Sequence, residues 1–340
     1  MPGIRDGQCL IGINAHLPYI QNWDKFIGRV QALNPASMTA IIDNLNDIGM
    51  IERLRMALPN ATIVARLYHP QDGEFHMPRH DSSSYVAAPL DVINWLAEMS
   101  IGNQVINILN EPGTVENNPR LVAWLLEIMV IATKRFKNLC VGNFSVGTPG
   151  DDGNSAWIAA FDLLLRGMEN SNHFLGLHEY LPGEPYRVGR LAWMVNRCKL
   201  IGVTPPRVIV TEYGIDNPAQ GDPRTGYKSW GLTGKQYALQ LIDAARVHYV
   251  PLAKEGVFHG ANVYVCGHKD KRWEPFDIEH DDDFWNTLIG FAPRHKSVVP
   301  VKPPPLAIAP QITEWEVVKN LVSNMDTQMT ELKKILGLKG

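Results

Sequence analysis

The 340-residue chain lacks the features that mark membrane, exported or nucleic-acid-binding proteins. It contains no uninterrupted apolar run long enough to cross a bilayer, so we expect no membrane partner. Its first residues show no charged segment followed by an apolar one, which predicts no signal peptide and a protein that is cytoplasmic or released without one. The formal net charge of -3 gives no electrostatic reason to expect nucleic acid as a partner.

Several site motifs are also missing. The four cysteines, Cys9, Cys140, Cys198 and Cys266, form no CxxC pair, which favours free thiols over disulfides. No GxGxxG turn follows the first predicted strand, and the chain has no HExxH motif and no EF-hand loop. We therefore expect neither a metal nor an organic cofactor. The acidic stretch 268–283 is interpreted as a solvated loop whose last aspartates cap a helix.

What the sequence does contain is a regular alternation of short apolar runs and helix-period segments. The predicted strands are Cys9–Asn14, Met38–Ile42, Thr62–Leu67, Gln104–Leu109, Leu139–Phe144, Phe174–His178, Val208–Thr211 and Ala261–Val265. The predicted helices are Trp23–Leu33, Asn46–Ala57, Ala88–Met99, Pro119–Arg135, Ala156–Met168, Val188–Leu200, Gly234–Leu252 and Asp283–Ile289. Eight strands, each followed by a helix, are typical of an α/β protein with a (β/α)₈ TIM barrel, which we prefer to a doubly wound sheet.

The composition changes near residue 298, so we divide the chain into three parts. Residues 1–297 form the predicted catalytic barrel, and residues 298–312 form a proline-rich, semi-rigid linker. Residues 313–340 have apolar side chains at alternating steps of four and three, which predicts an amphipathic helix. This helix either packs on the barrel or joins subunits as a short coiled coil, which would make the protein a homo-oligomer.

Two glutamates stand where predicted strands end and loops begin. Glu111 follows the apolar run that ends at Leu109, and Glu212 follows the run that ends at Thr211. Buried acids are costly unless they are paired, so these carboxylates are not expected to serve the core. On a parallel barrel the carboxyl ends of all strands share one face. The sequence therefore predicts acid/base or nucleophilic chemistry at one common mouth.

Three motifs carry a resemblance to a known group of enzymes. Asn110-Glu111-Pro112 resembles the strand-four motif of clan A glycoside hydrolases, and Thr211-Glu212-Tyr213-Gly214 resembles their strand-seven motif. His178-Glu179-Tyr180 is similar to the His-x-Tyr element that ends strand six in the cellulase-like enzymes of family five. The period of two in a strand turns His178 and Tyr180 to one side and Glu179 to the other.

The resemblance implies a role for each matching residue. Glu111 would be the general acid/base and Glu212 the nucleophile of a retaining β-glycoside hydrolase that acts on oligo- or polysaccharides. Asn110 would contact the sugar 2-hydroxyl, Tyr180 would hydrogen-bond the nucleophile, and His178 would line the subsite where the bond breaks. A carboxyl separation of roughly 5 Å would give retention of configuration, whereas roughly 8 Å would give inversion.

The chain departs from the clan pattern at two places. The tryptophan that often closes strand eight is replaced by Tyr264, with Trp273 a few residues into the following loop. The arginine expected near the end of strand two is absent, and Arg66 on strand three is the candidate substitute. His69 resembles a strand-three subsite histidine. Structural roles stay open for several of these residues, with Arg66 as part of an ion pair inside the barrel and His69 as a turn cap. His178 is alternatively a core histidine, and Tyr180 a core aromatic residue with its hydroxyl hydrogen-bonded.

The sequence leaves two other functions open. The first is a non-catalytic carbohydrate-binding barrel that is attached to a larger assembly such as a cell surface or a phage particle. The second is another barrel hydrolase or lyase that acts through two carboxylates, which a requirement for added divalent metal would reveal. Retention of both Glu111 and Glu212 favours the glycoside hydrolase over the binding protein.

Overall fold

The computed structural model of the chain describes residues 7–43, 45–67, 105–108, 118–135, 137–144, 155–181, 189–216, 226–268 and 271–292. Eight strands form one closed parallel barrel in chain order, and the last strand pairs with the first. The strands, numbered β1 to β8, are Ile11–His16, Ser37–Ile42, Thr62–Leu67, Val105–Ile108, Asn138–Phe144, Phe174–Leu181, Arg207–Ile215 and Phe258–Cys266. The predicted (β/α)₈ barrel is thereby confirmed.

Helices follow the strands wherever the chain is described. The α-helices are Trp23–Leu33, Ile48–Ala57, Asn118–Lys134, Ser155–Met168, Arg190–Ile201, Gly234–His248, Val250–Lys254 and Asp282–Phe291. Short 3₁₀ turns cover Leu17–Tyr19, Leu45–Asp47, Tyr227–Trp230 and Lys271–Phe276. The predicted helix 88–99, the proline-rich segment 298–312 and the helix 313–340 lie outside the described residues and stay predictions.

Side-chain caps explain where several helices begin. Asn22 accepts a hydrogen bond from the Lys25 amide at the start of the first helix, and Asp281 caps the last one through the Phe284 amide. Thr233 and Gln236 form a reciprocal capping box ahead of Gly234–His248. Each cap satisfies amide groups that have no partner within the helix, which fixes the end of the preceding loop.

Strands β6, β7 and β8 extend further than predicted. We expected β6 to end at His178 and β7 at Thr211, whereas they end at Leu181 and Ile215. Polar residues do not end these strands, because β6 and β7 continue to pair after a one-residue shift of register at Thr211. From His178 and Glu212 onward, the side chains again alternate between the barrel interior and the helix layer. Glu212 therefore lies within β7 rather than after it.

A layer of polar side chains crosses the barrel interior below Glu212. Asn14 Nδ2 and Thr39 Oγ1 both donate to the Thr211 carbonyl, at 3.0 and 3.2 Å. Thr211 Oγ1 donates to Asn143 Oδ1 at 3.0 Å. Four strands therefore meet at Thr211, and this network holds the β7 backbone at the residue that precedes Glu212.

Two buried histidines lie at the edge of the barrel near the start of β6 and β8. His173 accepts a hydrogen bond on Nδ1 from the Leu139 amide at 3.1 Å, and its Nε2 lies 2.9 Å from Thr133 Oγ1. His259 has Nε2 3.1 Å from the Gly256 carbonyl. The amide donor to Nδ1 requires that this nitrogen of His173 be unprotonated, so the folded protein holds the neutral imidazole.

Both histidines resist protonation in the folded state. Burial lowers the pKa of His173 from 6.5 to about 4, against a backbone hydrogen bond to Met129 and with a smaller contribution from the Arg207 cation. Burial and then Arg207 lower the pKa of His259 from 6.5 to about 4. Above pH 6.5 both histidines are neutral in the folded and in the unfolded chain. Between pH 6.5 and about 4 they bind protons only in the unfolded chain, so protonation stabilises the unfolded state.

We expect the free energy of unfolding to fall as the pH drops from 6.5 towards 4. Between about pH 7.5 and about pH 5 the loss is roughly 2 kcal/mol for each histidine. Urea unfolding at these two pH values measures it. His173→Gln should remove about half of the pH dependence, because the contribution of His259 remains. Equal stability of the wild-type protein at both pH values would contradict the prediction.

Candidate active site

Glu212 presents a buried carboxylate inside the barrel, close to the carboxyl end of β7. The residue is 7% exposed, and the strand register pairs it with His178 on β6. Because all eight strands are parallel, this end of β7 opens on the face to which the loops after every strand also belong. The position therefore belongs to the face on which barrel enzymes carry their active sites.

Three side chains contact the Glu212 carboxylate. Arg66 Nη1 donates to Oε1 at 2.7 Å, and the Tyr180 hydroxyl donates to Oε2 at 2.7 Å. His178 Nδ1 lies 3.4 Å from Oε2. Each carboxylate oxygen therefore accepts a hydrogen bond, one of them from a cation. A charge-assisted bond from arginine on one side and a phenol on the other fixes the carboxylate plane.

The strand periodicity explains how these residues meet. His178 and Tyr180 are two positions apart on β6 and both point at Glu212, as the period of two predicts, while Glu179 points to the helix layer. Arg66 comes from β3, where it pairs in register with Ile41 of β2. Its side chain crosses the barrel interior and forms an ion pair with Glu212.

Tyr264 and Trp273 form an aromatic cluster beside Tyr180. The Tyr264 ring lies 5.5 Å from Trp273 and 5.7 Å from Phe276, in edge-to-face arrangements. Tyr180, Val265 and Phe276 are buried together, with Tyr264 and Trp273 partly buried against them. The Tyr264–Val265 peptide bond is cis. Tyr264 and Trp273 are thus partly exposed aromatic residues in the cluster that contains Tyr180, the residue that donates to Glu212.

A second polar cluster, which the sequence did not predict, lies at the ends of β1 and β2. His16 Nε2 lies 2.6 Å from Asp43 Oδ1, and the Tyr19 hydroxyl donates to Asp43 Oδ2. The sequence indicates these residues only by their positions at strand ends: His16 is the last residue of β1, and Asp43 follows the last residue of β2. Neither residue belongs to a recognisable motif.

Three of the predicted site residues, His69, Asn110 and Glu111, lie outside the described residues. Strand β4 ends at Ile108, three residues before Glu111 in the sequence. The roles assigned to these residues stay predictions.

The described part of the chain holds no cluster of three or more potential metal ligands. In the predicted solvated loop, Asp277 and Glu279 are buried instead. Asp277 Oδ1 accepts from the Gly267 and Glu279 amides, and Glu279 Oε1 accepts from the Gln21 amide at 2.6 Å. These carboxylates fasten the loop after β8 to the segment after β1.

Two further observations concern the described residues as a whole. Within the described ranges, no helix is both long and apolar enough to cross a bilayer. All four cysteines are buried free thiols.

Comparison with known proteins supports the fold. No protein-family model and no curated protein sequence matches the chain. The endo-β-1,4-mannanase from Thermotoga petrophila is 12% identical with a TM-score of 0.50, over 84% of this chain and 77% of the mannanase. A protein from Neocallimastix frontalis is 15% identical with a TM-score of 0.48, over 77% of this chain and 61% of that protein's length. At this identity the likeness to the mannanase shows a shared barrel fold.

Proposed function

We propose that the protein is a retaining β-glycoside hydrolase of clan A, similar to family five, with Glu212 as nucleophile and Glu111 as general acid/base. The observation that carries the proposal is the buried Glu212 carboxylate inside β7, held by Arg66 and Tyr180 at 2.7 Å each. Support also comes from the motif around Glu111, three residues beyond β4, and from the fold that the chain shares with a mannanase.

The proposed reaction is a double displacement. A Glu212 oxygen attacks the anomeric carbon as the bond to the leaving oxygen breaks, and Glu111 gives that oxygen its proton. The product is a glycosyl ester on Glu212 and a shorter saccharide. Glu111, now ionised, takes a proton from water, whose oxygen displaces Glu212 from the anomeric carbon. Two inversions give a product with the configuration of the substrate.

The Glu212 environment suits the first displacement. Arg66 and Tyr180 fix the plane of the attacking carboxylate, so its reorientation during the reaction costs little free energy. When the ester forms, the negative charge on Glu212 disappears. The hydrogen bonds from Arg66 and Tyr180 must therefore leave the carboxylate oxygen reactive. When water hydrolyses the ester, the carboxylate forms again and regains both contacts.

The remaining residues suit a sugar substrate. Tyr264 and Trp273 would provide aromatic faces on which a pyranose ring can stack. His178, fully buried 3.4 Å from Glu212, would border the subsite where the bond breaks. Asp43 and His16 provide polar atoms at the ends of β1 and β2 for further hydroxyl groups. Asn110 is assigned to the sugar 2-hydroxyl by its place in the motif.

The experiment that tests the function is a screen of β-linked glycans, with β-1,4-mannan included because of the shared fold. We expect new reducing ends from at least one glycan without added metal, and NMR of the first product should show the β-anomer. Binding of a glycan without release of reducing ends would favour the carbohydrate-binding alternative. Activity that depends on a divalent metal would favour a different barrel hydrolase or lyase.

A further inference from the structure

Glu179 is a second buried carboxylate on β6, and the proposed chemistry does not use it. The residue has no exposed surface and lies between His178 and Tyr180, the two β6 residues that contact Glu212. Its side chain points to the opposite side of the strand, towards the helix layer. Apolar side chains usually fill that layer, because a buried charge costs free energy unless it is fully paired.

The protein satisfies this carboxylate with three donors. Leu191 N donates to Oε1 at 3.0 Å, and Gly189 N donates to Oε2 at 3.1 Å. The Tyr249 hydroxyl also donates to Oε2, at 2.5 Å. The two amides belong to the N-cap residue and the first turn of the helix Arg190–Ile201, whose N-terminal dipole favours a negative charge. Glu179 therefore fastens the carboxyl-terminal half of β6 to the start of this helix.

Arg190, the first residue of the same helix, makes a second connection to the strand. Its side chain is buried, and Nη2 donates to the His178 carbonyl at 3.4 Å and to the Phe144 carbonyl at 3.1 Å. The helix start thus holds β6 at two consecutive residues, at the side chain of Glu179 and at the backbone of His178. A hydrogen bond to the end of β5 completes the attachment.

We propose that Glu179 and Arg190 are positioning residues, which set the orientation of His178 and Tyr180 and through them the orientation of the Glu212 carboxylate. The proposal rests on the proposed function insofar as Glu212 is the nucleophile. A rotation of the β6 backbone at Glu179 moves both flanking side chains at once. The Tyr180 hydroxyl holds Glu212 Oε2 at 2.7 Å, so a small displacement there reorients the attacking group.

The variant Glu179→Gln tests this inference with almost no change in volume. Glutamine keeps one acceptor oxygen, but its NH₂ group replaces a carboxylate oxygen that accepts from a backbone amide. In either orientation of the side chain, this NH₂ group faces the N–H of Leu191 or Gly189, and that hydrogen bond is lost. We expect kcat to fall about 10- to 100-fold, because misplacement of a reacting group has effects of this size. KM should stay within about threefold of the wild type, since the substrate contacts are retained.

A matched control separates positioning from a loss of stability. Asp162 accepts two hydrogen bonds from Arg197 of the same helix Arg190–Ile201, at 2.7 and 2.6 Å. Asp162→Asn makes the same carboxylate-to-amide change and should lower the melting temperature while leaving kcat unchanged. If Glu179→Gln does not fold, Tyr249→Phe removes one of the three donors and keeps the ring. We then expect a smaller fall in kcat, about threefold to tenfold, at constant KM.

A crystal structure of Glu179→Gln gives a readout that does not need activity. A distance of more than about 3.5 Å between the Tyr180 hydroxyl and the Glu212 carboxylate in the variant supports the proposal, because the two groups then form no hydrogen bond. An unchanged contact, or a folded variant with the kcat of the wild type, overturns it. If the wild-type protein hydrolyses no glycan, the proposed function fails, and the Tyr180 position in the variant still decides the positioning role.

Discussion

The Glu212→Ala variant is expected to lose turnover on natural glycans by about 10⁵-fold or more, the size of effect seen when a nucleophile is removed from a group that acts as a unit. The physical reason is that the variant lacks the oxygen that forms the glycosyl ester, although the Arg66 and Tyr180 donors that hold it in the wild type remain. The loss should appear in kcat, measured as released reducing ends, while glycan binding measured by calorimetry persists.

Azide should restore part of the activity of Glu212→Ala on a substrate with a good leaving group. The substitution opens a space the size of a carboxylate, and the donors Arg66 and Tyr180 remain on its walls to hold a small anion. Azide then attacks from the face that Glu212 occupied. A single displacement inverts the anomeric carbon, so the product of a β-glycoside is the α-glycosyl azide, which NMR identifies.

Glu212→Gln is the matched control for the rescue. It removes the nucleophile and keeps the volume, so we expect the same loss of turnover and no response to azide. Glu212→Ala with ordinary activity would disprove the role assigned to Glu212, and rescue that gave the β-glycosyl azide would place the nucleophile elsewhere.

The barrel was predictable because its signal is local. Apolar runs such as Thr62–Leu67 alternate with segments of helical period, and the observed bounds of β3 and of the helix Trp23–Leu33 coincide with the predicted ones. The sequence named Arg66 both as a candidate substitute for the missing clan arginine and as part of an ion pair inside the barrel. The structure places it 2.7 Å from Glu212.

What escaped the sequence depends on contacts between distant residues. The pairing of β6 with β7 carries both strands past His178 and Thr211, and no local pattern records that pairing. The contact between His16 and Asp43 joins two strand ends whose register is set by the whole barrel. The alternation predicted that Glu179 points outward, but its donors Gly189 and Tyr249 lie on other elements.

The Glu111→Ala variant is expected to form the glycosyl-enzyme and then stop. On an aryl glycoside with a good leaving group, the first step needs no acid, so Glu212 should still be glycosylated and release one phenolate per enzyme in a burst. Release of the sugar needs a base to activate water, and the variant has lost it. We expect kcat to fall about 10²- to 10⁴-fold and KM to fall with it, because the intermediate accumulates.

Azide distinguishes this variant from Glu212→Ala by the anomer it gives. Azide needs no proton removed, so it attacks the glycosyl-enzyme from the side that Glu111 served, and two inversions yield the β-glycosyl azide. Glu116→Ala, five residues further along the same segment, is the control and should show neither the burst nor the azide product. If Glu111→Ala hydrolyses poor and good leaving groups at equal fractions of the wild-type rate, Glu111 is not the acid. The opposite anomers from the two alanine variants follow only if each carboxylate serves a different face of the same sugar carbon.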